Sequence, residues 1–280
     1  MHVPLWSPIF DLAAVDLVAY CRRIDYDGPM TPTPDVLREL HIAHLAAIPF
    51  ENIDVLLGRP VRLDLKSLQE KLVLSRRGGY CFEQNALFGA VLGAIGFKVH
   101  GLGARVVMGA APGTVRPRTH MALLVSADGE QYLADVGFGG DGLIEPLPLV
   151  DNGEFRFPLV SFRLRESFGE WTLSGALLGN PWTDLYTFTL EPQHTVDYEV
   201  ANFYTAMHPE SVFRRALTAQ RVLADERVIL RTREMTIIRE KGIEKREVKS
   251  AAKAEQILRE VFELDLPEPF VLPKDLYDTE

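Results

Sequence analysis

The residue best suited to covalent chemistry in this chain of 280 residues is Cys81, one of two cysteines. It lies in the stretch SRRGGYCFEQNALFGAVLGAIGF (residues 75–97), which predicts a Gly-Gly-Tyr break and then an apolar helix that opens at Cys81 and ends at Gly96. The positive end of a helix beside the sulfur favours the nucleophilic thiolate. Gly78 and Gly79 would let the backbone approach the sulfur closely, and amides at the helix start could hold an oxyanion. The alternative is a buried structural cysteine.

A second pair of polar residues is predicted to meet through a hairpin. Asp128 and Gly129 stand between two strand patterns in LLVSADGEQYL and predict a two-residue turn. Facing residues then have numbers that sum to 257, as 128 and 129 do, so Ala122 faces Asp135. His120 lies on the same face, diagonal to Asp135 at about 7–8 Å between backbones, and the two side chains can reach each other. A slip of one residue would place them on opposite faces.

Cys81, His120 and Asp135 together predict an activated nucleophile. An aspartate on one ring nitrogen fixes the tautomer of a histidine and stabilises its charged form, and the other nitrogen then serves as a base for the thiol. This is the arrangement of enzymes that transfer acyl groups through a covalent intermediate. Taken singly, a strand histidine is often a satisfied core residue, and an aspartate before a glycine-rich loop is often a turn former.

The elements that must position these residues fall into three stretches. The first ninety residues predict three helices. The first covers residues 11–24, with apolar positions from Leu12 onward, and the third is the helix of Cys81. The second covers residues 33–48, with Thr33 as its cap and Pro34 at the first helical position. Residues 98–200 read as short strands between turns, an antiparallel sheet or barrel. After residue 202 the pattern predicts a helix over residues 209–220, strands over 227–232 and 235–240, an exposed turn and helix face over 239–253, and a last helix over 250–264.

Composition excludes several classes of function. A formal net charge of −9 and an isoelectric point near 5.4 argue against broad affinity for nucleic acid or an anionic membrane. The uncharged run from Ala86 to Phe97 is too short to cross a bilayer, and the N-terminal residues lack an export pattern. Two cysteines suit a reducing compartment, so a cytoplasmic protein is expected. His41 and His44 lie one helical turn apart, but we expect them to pack between helices and predict no metal.

Four motifs resemble those of the arylamine N-acetyltransferases. They are HIAHLAAIPFENI (residues 41–53), RRGGYCFEQN (76–85), RTHMALLV (118–125) and YLADVGFGG (132–140), and the resemblance extends from about residue 10 to 220. It implies an α+β fold with a cysteine-protease-like catalytic core. The expected parts are an N-terminal helical bundle (1–95), a central antiparallel β-barrel (96–200) and a C-terminal α/β lid (201–280).

The resemblance also implies a reaction. Such enzymes of xenobiotic metabolism move an acetyl group from acetyl-coenzyme A to arylamines, arylhydrazines or N-hydroxyarylamines by a ping-pong mechanism. Cys81 would be the acetyl carrier, His120 its base and Asp135 the orienting acid. The other open readings are a cysteine hydrolase or transglutaminase-like enzyme with the same three residues, and a binding protein that keeps the cleft without the chemistry.

Further site residues are implied by the same resemblance. Residues expected along the substrate and coenzyme A cleft are Phe50, Gly137, Phe138, Gly139 and Phe203. Glu51 is expected to pair with Arg77 and support the nucleophile's loop. The structural alternative is that Phe50 is a core residue and Glu51 a surface acid. Arg116 and Arg118 either meet the coenzyme A phosphates or lie in a solvated loop. A homodimer is compatible with the family.

Overall fold

The computed structural model describes residues 14–111, 113–223, 225–273 and 276–277. Its α-helices are α1 (Leu17–Ile24), α2 (Pro34–Ala47), α3 (Ile53–Leu56), α4 (Leu65–Leu68), α5 (Cys81–Ile95), α6 (Thr195–Met207) and α7 (Ala251–Glu260). A π-helical segment, Gln69–Leu74, continues α4, and a 3₁₀ turn, Val212–Arg214, follows α6. Among the described residues, no helix has both the length and the apolar character to cross a membrane.

Caps explain where the first helices begin. Thr33 accepts a hydrogen bond from the amide of Val36 at 3.4 Å, with Pro34 at the first helical position, as the sequence predicted. The helix predicted over residues 11–24 instead starts at Leu17, because Asp16 caps it by accepting from the amide of Ala19 at 2.9 Å. Its expected apolar position Leu12 lies outside the described residues.

The β-strands form two antiparallel sheets. They are β1 (Phe50–Glu51), β2 (Lys98–Val106), β3 (His120–Ala127), β4 (Glu130–Ala134), β5 (Leu147–Pro148), β6 (Glu154–Arg156), β7 (Val160–Ser167), β8 (Glu170–Leu177), β9 (Thr183–Phe188), β10 (Thr218–Val222), β11 (Glu226–Arg231), β12 (Glu234–Arg239) and β13 (Gly242–Glu247). The eight-stranded sheet has the order β5-β4-β3-β2-β9-β8-β7-β6 and curls into a nearly closed barrel. The five-stranded sheet has the order β1-β10-β11-β12-β13. The α+β architecture predicted from the sequence is confirmed.

Strand β3 joins the helical region to the barrel through its two faces. Met121 and Leu123 pack into the same apolar cluster as α5, whereas Ala122 and Leu124 face the barrel core. His120 shares the inner face with Ala122, because strand residues two apart point the same way. The predicted hairpin register is confirmed, since Leu123 pairs with Ala134.

The C-terminal part differs in places from the sequence prediction. The helix expected over residues 209–220 is wrong: the segment forms the 3₁₀ turn and then β10. Asn52 fixes this path by donating to the carbonyls of Phe213 and Ala216, both at 2.7 Å, and by accepting from the amide of Thr218. Helix α6 takes residues that the sequence assigned to the strand region. The run over residues 239–253 contains the exposed edge strand β13, whose polar sequence carries no strand periodicity.

The N-terminal and C-terminal parts share a sheet. Strand β1 lies between α2 and α3 in the chain, and it pairs with β10 through Phe50 and Glu51. Phe50 also bridges to Gly79, so the same short strand touches the loop that leads to Cys81. The C-terminal sheet is therefore attached directly to the nucleophile's surroundings.

Candidate active site

Cys81 is the first residue of α5, and its side chain is buried. In its protonated form the thiol donates weakly to the carbonyl of Thr119, with sulfur and oxygen 3.7 Å apart. The two glycines before it allow close packing of the loop. A Cβ on Gly78 would lie 2.0 Å from the carbonyl oxygen of Pro49, and one on Gly79 would collide with Glu83. Their role in bringing the backbone close to the sulfur stays a prediction.

His120 lies between Cys81 and Asp135. Its Nε2 and the Oδ2 atom of Asp135 are 2.7 Å apart, and both side chains are buried. Burial opposes a charged ring, but the Asp135 carboxylate outweighs it and, together with hydrogen bonding to Cys81, raises the pKa of His120 to about 10. Since Nε2 is taken by Asp135, Nδ1 is the ring nitrogen left for the sulfur. The structure thus brings the three predicted residues together.

The Asp135 carboxylate is held by more than the histidine. Its Oδ1 accepts from the side-chain amide of Asn85 and from the backbone amide of Gly137, both at 2.9 Å. Burial by itself would raise the pKa of Asp135, but His120 and these two donors lower it below its usual range. Asn85 also accepts from the amide of Val136 at 3.0 Å, so one side chain fixes both the carboxylate and its backbone.

Two buried histidines of α2 connect the helical region to this site. His41 accepts through Nε2 from the backbone amide of Asp135 at 3.2 Å, which places its ring proton on Nδ1. Burial lowers the pKa of His41 to about 4, so the ring is neutral at physiological pH. His44 lies 2.7 Å from Gln84, whose amide nitrogen donates to the carbonyl of Pro49 at 2.8 Å. Both rings also pack on Phe88, as the expected packing role requires.

A buried ion network supports the loop before Cys81. Arg77 donates to Glu51 through Nε at 2.9 Å and through Nη2 at 2.6 Å, and it contacts Asp54 at 3.3 Å. Lys71 bridges Asp54 and Glu83, each at 2.6 Å. Burial works against the charge of Arg77, yet Glu51 and Asp54 raise its pKa further above its ordinary range. The structure therefore shows the expected pair between Glu51 and Arg77.

The site opens into a cleft of about 610 Å³. Its lining residues come from the helical region, the barrel and the C-terminal part: Phe50, Cys81, Val106, Met108, Arg116, Pro117, Thr119, His120, Gly137, Phe138, Asp141, Tyr204, Thr205, His208, Glu210, Ser211, Val212, Phe213, Ala216, Leu217, Thr218, Gln220 and Arg231. Phe138 packs edge-on against the His120 ring, with centroids 5.2 Å apart. A Cβ on Gly137 would lie 2.7 Å from the Cα of Cys81, so glycine allows this loop to touch the nucleophile's helix.

Two expected cleft residues lie elsewhere. Phe203 stands in solvent on the outer side of α6, whereas its neighbours Tyr204 and Thr205 turn toward the cleft. The expectation for Phe203 is corrected, because successive helical residues point about 100° apart. Gly139 does not line the cleft, and a Cβ on it would lie 2.6 Å from Oε1 of Gln220, which does. Arg116 lines the cleft, while Arg118 pairs with Glu191 at 3.1 Å.

Comparisons with known proteins show which family the chain belongs to. A family model described as N-acetyltransferase matches residues 33–271. The arylamine N-acetyltransferase of Mycobacterium bovis is 40% identical over 257 residues, which are 90% of this chain and 90% of that protein. The chain belongs to the arylamine N-acetyltransferase family. Membership in this family makes the protein an acyltransferase.

Two further members of the family extend the comparison. The arylamine N-acetyltransferase / N-hydroxyarylamine O-acetyltransferase of Salmonella typhimurium is 44% identical over 209 residues, 75% of this chain and 74% of that protein. The structure of Mycobacterium marinum arylamine N-acetyltransferase in complex with CoA matches with a TM-score of 0.85 and 39% identity. The match covers 89% of this chain and 93% of the M. marinum chain. The fold of the family is thus shared over most of both chains.

Several residues that lie at the site of this arylamine N-acetyltransferase family member were not predicted from the sequence. Asn85 lies one helical turn after Cys81, and that spacing of four residues was a usable signal. Tyr186 on β9 is buried, and its ring centroid lies 5.0 Å from that of His120. This contact could not be predicted from the local sequence. The same holds for the contact between His41 and Asp135, which lie 94 positions apart.

Proposed function

We propose that this protein transfers an acetyl group from acetyl-coenzyme A to arylamines, arylhydrazines or N-hydroxyarylamines through an acetyl-Cys81 intermediate. The observation that carries the proposal is the convergence of Cys81 and His120 on one cleft, with the Asp135 carboxylate 2.7 Å behind the imidazole. The Salmonella relative, an arylamine N-acetyltransferase / N-hydroxyarylamine O-acetyltransferase, supports the acceptor class, and the M. marinum relative, whose structure is a complex with CoA, supports the donor class.

In the first half-reaction the Cys81 sulfur attacks the thioester carbonyl of the donor. The carbon–sulfur bond of the thioester breaks, and coenzyme A leaves with the electron pair of that bond. The proton that the Cys81 thiol has given up is held on Nδ1 of His120, and the imidazolium passes it to the departing sulfur, while Asp135 keeps the ring oriented through Nε2. One thioester replaces another, so the acetyl-enzyme is close in free energy to the donor complex.

In the second half-reaction an amine enters after coenzyme A has left. Its nitrogen attacks the acetyl carbonyl on Cys81, His120 removes the proton that the nitrogen loses, and the carbon–sulfur bond to Cys81 breaks. The product is an amide, or an ester when the hydroxyl oxygen of an N-hydroxyarylamine attacks. The ping-pong order follows because donor and acceptor use the same sulfur in turn.

The cleft walls suit an aromatic acceptor. Phe50 and Phe138 line the cleft with Phe213, and aromatic rings favour edge-on or offset contacts with one another. We assign Phe138 to the acceptor pocket because its ring also packs on His120, next to the reacting atoms. An apolar wall also keeps water from competing for the acetyl group.

The charged side chains at the cleft include Arg116 and Arg231, while the pair of Glu51 and Arg77 lies behind the nucleophile. We assign that pair to support of the loop and Gly137 to the cleft wall. Cys21 and Cys81 are both free thiols, which suits a reducing compartment, and we place the activity in the cytoplasm.

Steady-state kinetics test the proposed function. Varying acetyl-coenzyme A at several fixed concentrations of an arylamine or of a hydrazide such as isoniazid should give parallel double-reciprocal lines. Cys81→Ala should abolish turnover with both acceptors. Release of amine from peptide substrates without acetyl-coenzyme A, with no acetyl transfer, would overturn the proposal in favour of a cysteine hydrolase.

A further inference from the structure

A fully buried arginine, Arg227 of β11, binds the loop that follows Asp135. Its guanidinium donates through Nη1 to the carbonyl of Gly140 and through Nη2 to the carbonyl of Gly142, the latter at 3.0 Å. The planar fork of an arginine presents two N–H groups at a fixed spacing, which the single nitrogen of a lysine cannot do. We call residues 137–142 the wall loop. Arg227 therefore fixes two points of the wall loop at once.

The wall loop connects Arg227 to the residues that surround the nucleophile. At its start, the amide of Gly137 donates to Oδ1 of Asp135 at 2.9 Å. Phe138 comes next, and its ring lies edge-on against the ring of His120, with centroids 5.2 Å apart. The carbonyls that Arg227 binds lie at the far end. The position of the Phe138 ring is thus set between the site on one side and the C-terminal sheet on the other.

One face of the C-terminal sheet meets the far end of the wall loop. Arg227 and Ile229 lie two positions apart on β11 and so share a face. A Cβ on Gly140 would lie 2.5 Å from Cδ1 of Ile229, so the loop backbone rests directly on this strand. Gln220 of the neighbouring β10 pairs with Ile229 and accepts a hydrogen bond from the amide of Gly140. The sheet therefore holds the loop by its backbone.

The charge of Arg227 is costly where it lies. Among the residues that the structure describes, it has no carboxylate within salt-bridge distance, and its Nε atom has no hydrogen-bond partner. Burial lowers the pKa of Arg227 to about 10, against the opposing effect of Asp141, so the side chain is charged at neutral pH. Apolar side chains of similar volume often match a buried charge in stability. What Arg227 supplies is the fixed geometry of its two hydrogen bonds.

We propose that Arg227 is a positioning residue for the acceptor half-reaction, because it fixes the loop that holds the Phe138 ring beside His120. The inference rests on the proposed function, in which an aromatic amine enters along Phe138 and attacks the acetyl group on Cys81. Release of the wall loop displaces the ring against which the amine packs, and a small displacement of a positioning group slows a reaction strongly.

The first half-reaction depends much less on Arg227. His120 is oriented by Asp135, with Nε2 and Oδ2 2.7 Å apart. Asp135 is held in turn by Asn85 and by Gly137, both at the near end of the wall loop. Activation of the sulfur therefore survives the loss of Arg227, whereas the approach of the amine does not.

Transient kinetics separates the two half-reactions. Arg227→Met removes both donors at similar length, Arg227→Lys keeps the charge on one nitrogen, and Arg239→Met is the matched control, an exposed arginine of the same sheet that pairs with Glu226 at 2.5 Å. Mass analysis of quenched samples follows the acetyl group onto Cys81 and then onto an arylamine.

Acetylation of Cys81 in Arg227→Met should proceed near the wild-type rate, whereas transfer to a subsaturating arylamine should be about 10–100-fold slower. Arg227→Lys should be intermediate, and Arg239→Met should match the wild type in both steps. A purely structural effect would instead lower the amount of folded enzyme and leave the rate constant for transfer unchanged.

The position of Phe138 can also be measured without turnover. Its ring current acts on the ring protons of His120, which NMR of labelled histidine detects, and Phe138→Leu gives the reference without that ring. Arg227→Met should move the His120 signals toward this reference, with Arg227→Lys part of the way, and Arg239→Met should leave them in place. If Arg227→Met does not fold, the same comparisons are made with Arg227→Lys.

Two results would overturn the inference. They are wild-type His120 signals and a wild-type transfer rate, either of them in a folded Arg227 variant. A wild type that is not acetylated on Cys81 would overturn the proposed function instead, and the His120 signals would still decide whether Arg227 positions the wall loop.

Discussion

The charge state of His120 follows from what surrounds its ring. Burial alone would keep the imidazole neutral, but a carboxylate 2.7 Å away and a sulfur on the other side both favour the imidazolium. The Asp135 carboxylate remains charged because Asn85, Gly137 and His120 all bind it. A charged imidazole beside Cys81 is the condition under which a thiol acts as a thiolate.

The titration of His120 can be observed by NMR of ¹⁵N-labelled histidine. The wild-type ring should stay charged through neutral pH and titrate near pH 10. Asp135→Asn should lower this midpoint strongly, because burial then acts without the opposing carboxylate. His100, whose pKa is lowered by burial, gives an internal reference. A wild-type His120 that is already neutral at pH 8 would contradict the assignment.

The same shift predicts a pH dependence of stability. The pKa of His120 is higher in the folded state than the value of about 6.5 in the unfolded chain. Its contribution to the free energy of unfolding is therefore complete below about pH 6.5 and is lost as the pH rises through about 10. Urea unfolding of the wild type and of Asp135→Asn should converge as the pH approaches that upper limit.

His41 positions Asp135 by accepting its backbone amide. Replacing His41 with Leu leaves this buried donor without an acceptor, which should lower the free energy of unfolding by about 1–3 kcal/mol. It should also slow acetyl transfer, since the backbone of Asp135 is no longer held. His41→Gln keeps an acceptor oxygen and should lose less of both. Equal losses in the two variants, in urea unfolding and in acetylation rate, would show that the hydrogen bond does not matter.

At the scale of elements, the buried ion network ties together the pieces that precede Cys81. Glu51 lies in β1, Arg77 in the loop, and Lys71 in the π-helical segment after α4. Glu51 also accepts from the amide of Ile53 at 2.6 Å, which fixes the start of α3. The network sets where α5 begins, and hence where its first residue presents the sulfur.

Removing one partner of this network should be costly. Arg77→Met leaves Glu51 buried without its cation and should lower the free energy of unfolding by about 3–5 kcal/mol. The matched control is Arg165→Met, which breaks an exposed pair with Asp184 at 3.3 Å and should cost about 0–1 kcal/mol. Guanidinium unfolding of both variants measures the contrast. A small effect of Arg77→Met would mean that the loop is held by other contacts.

Elements set by contacts between residues near in sequence could be predicted, whereas elements set by contacts between distant residues could not. The β3–β4 register was predictable because a two-residue turn sets it locally, and α5 was predictable from its apolar run and the glycine at its end. The turn and strand over residues 209–222 were not predictable. Their path depends on Asn52, more than 160 positions away, and the apolar pattern of that segment also fits a helix.

At the scale of the whole molecule, the cleft exists only where the helical region, the barrel and the C-terminal sheet meet. Cys81, His120 and Thr218 come from these three parts and line the same volume. The sequence predicted the parts and the reacting residues, but the walls depend on how the parts pack. This is why Tyr204 and Thr205 face the cleft while Phe203, expected there, faces solvent.

The most direct test of the account is intact-mass analysis after brief incubation with acetyl-coenzyme A and no acceptor. The wild type should gain the mass of one acetyl group, peptide mapping should place it on Cys81, and adding an arylamine should remove it with formation of the amide. Cys81→Ala should gain nothing. An unmodified wild-type protein that still acetylates the amine, or an acetyl group mapped to another residue, would contradict the central claim.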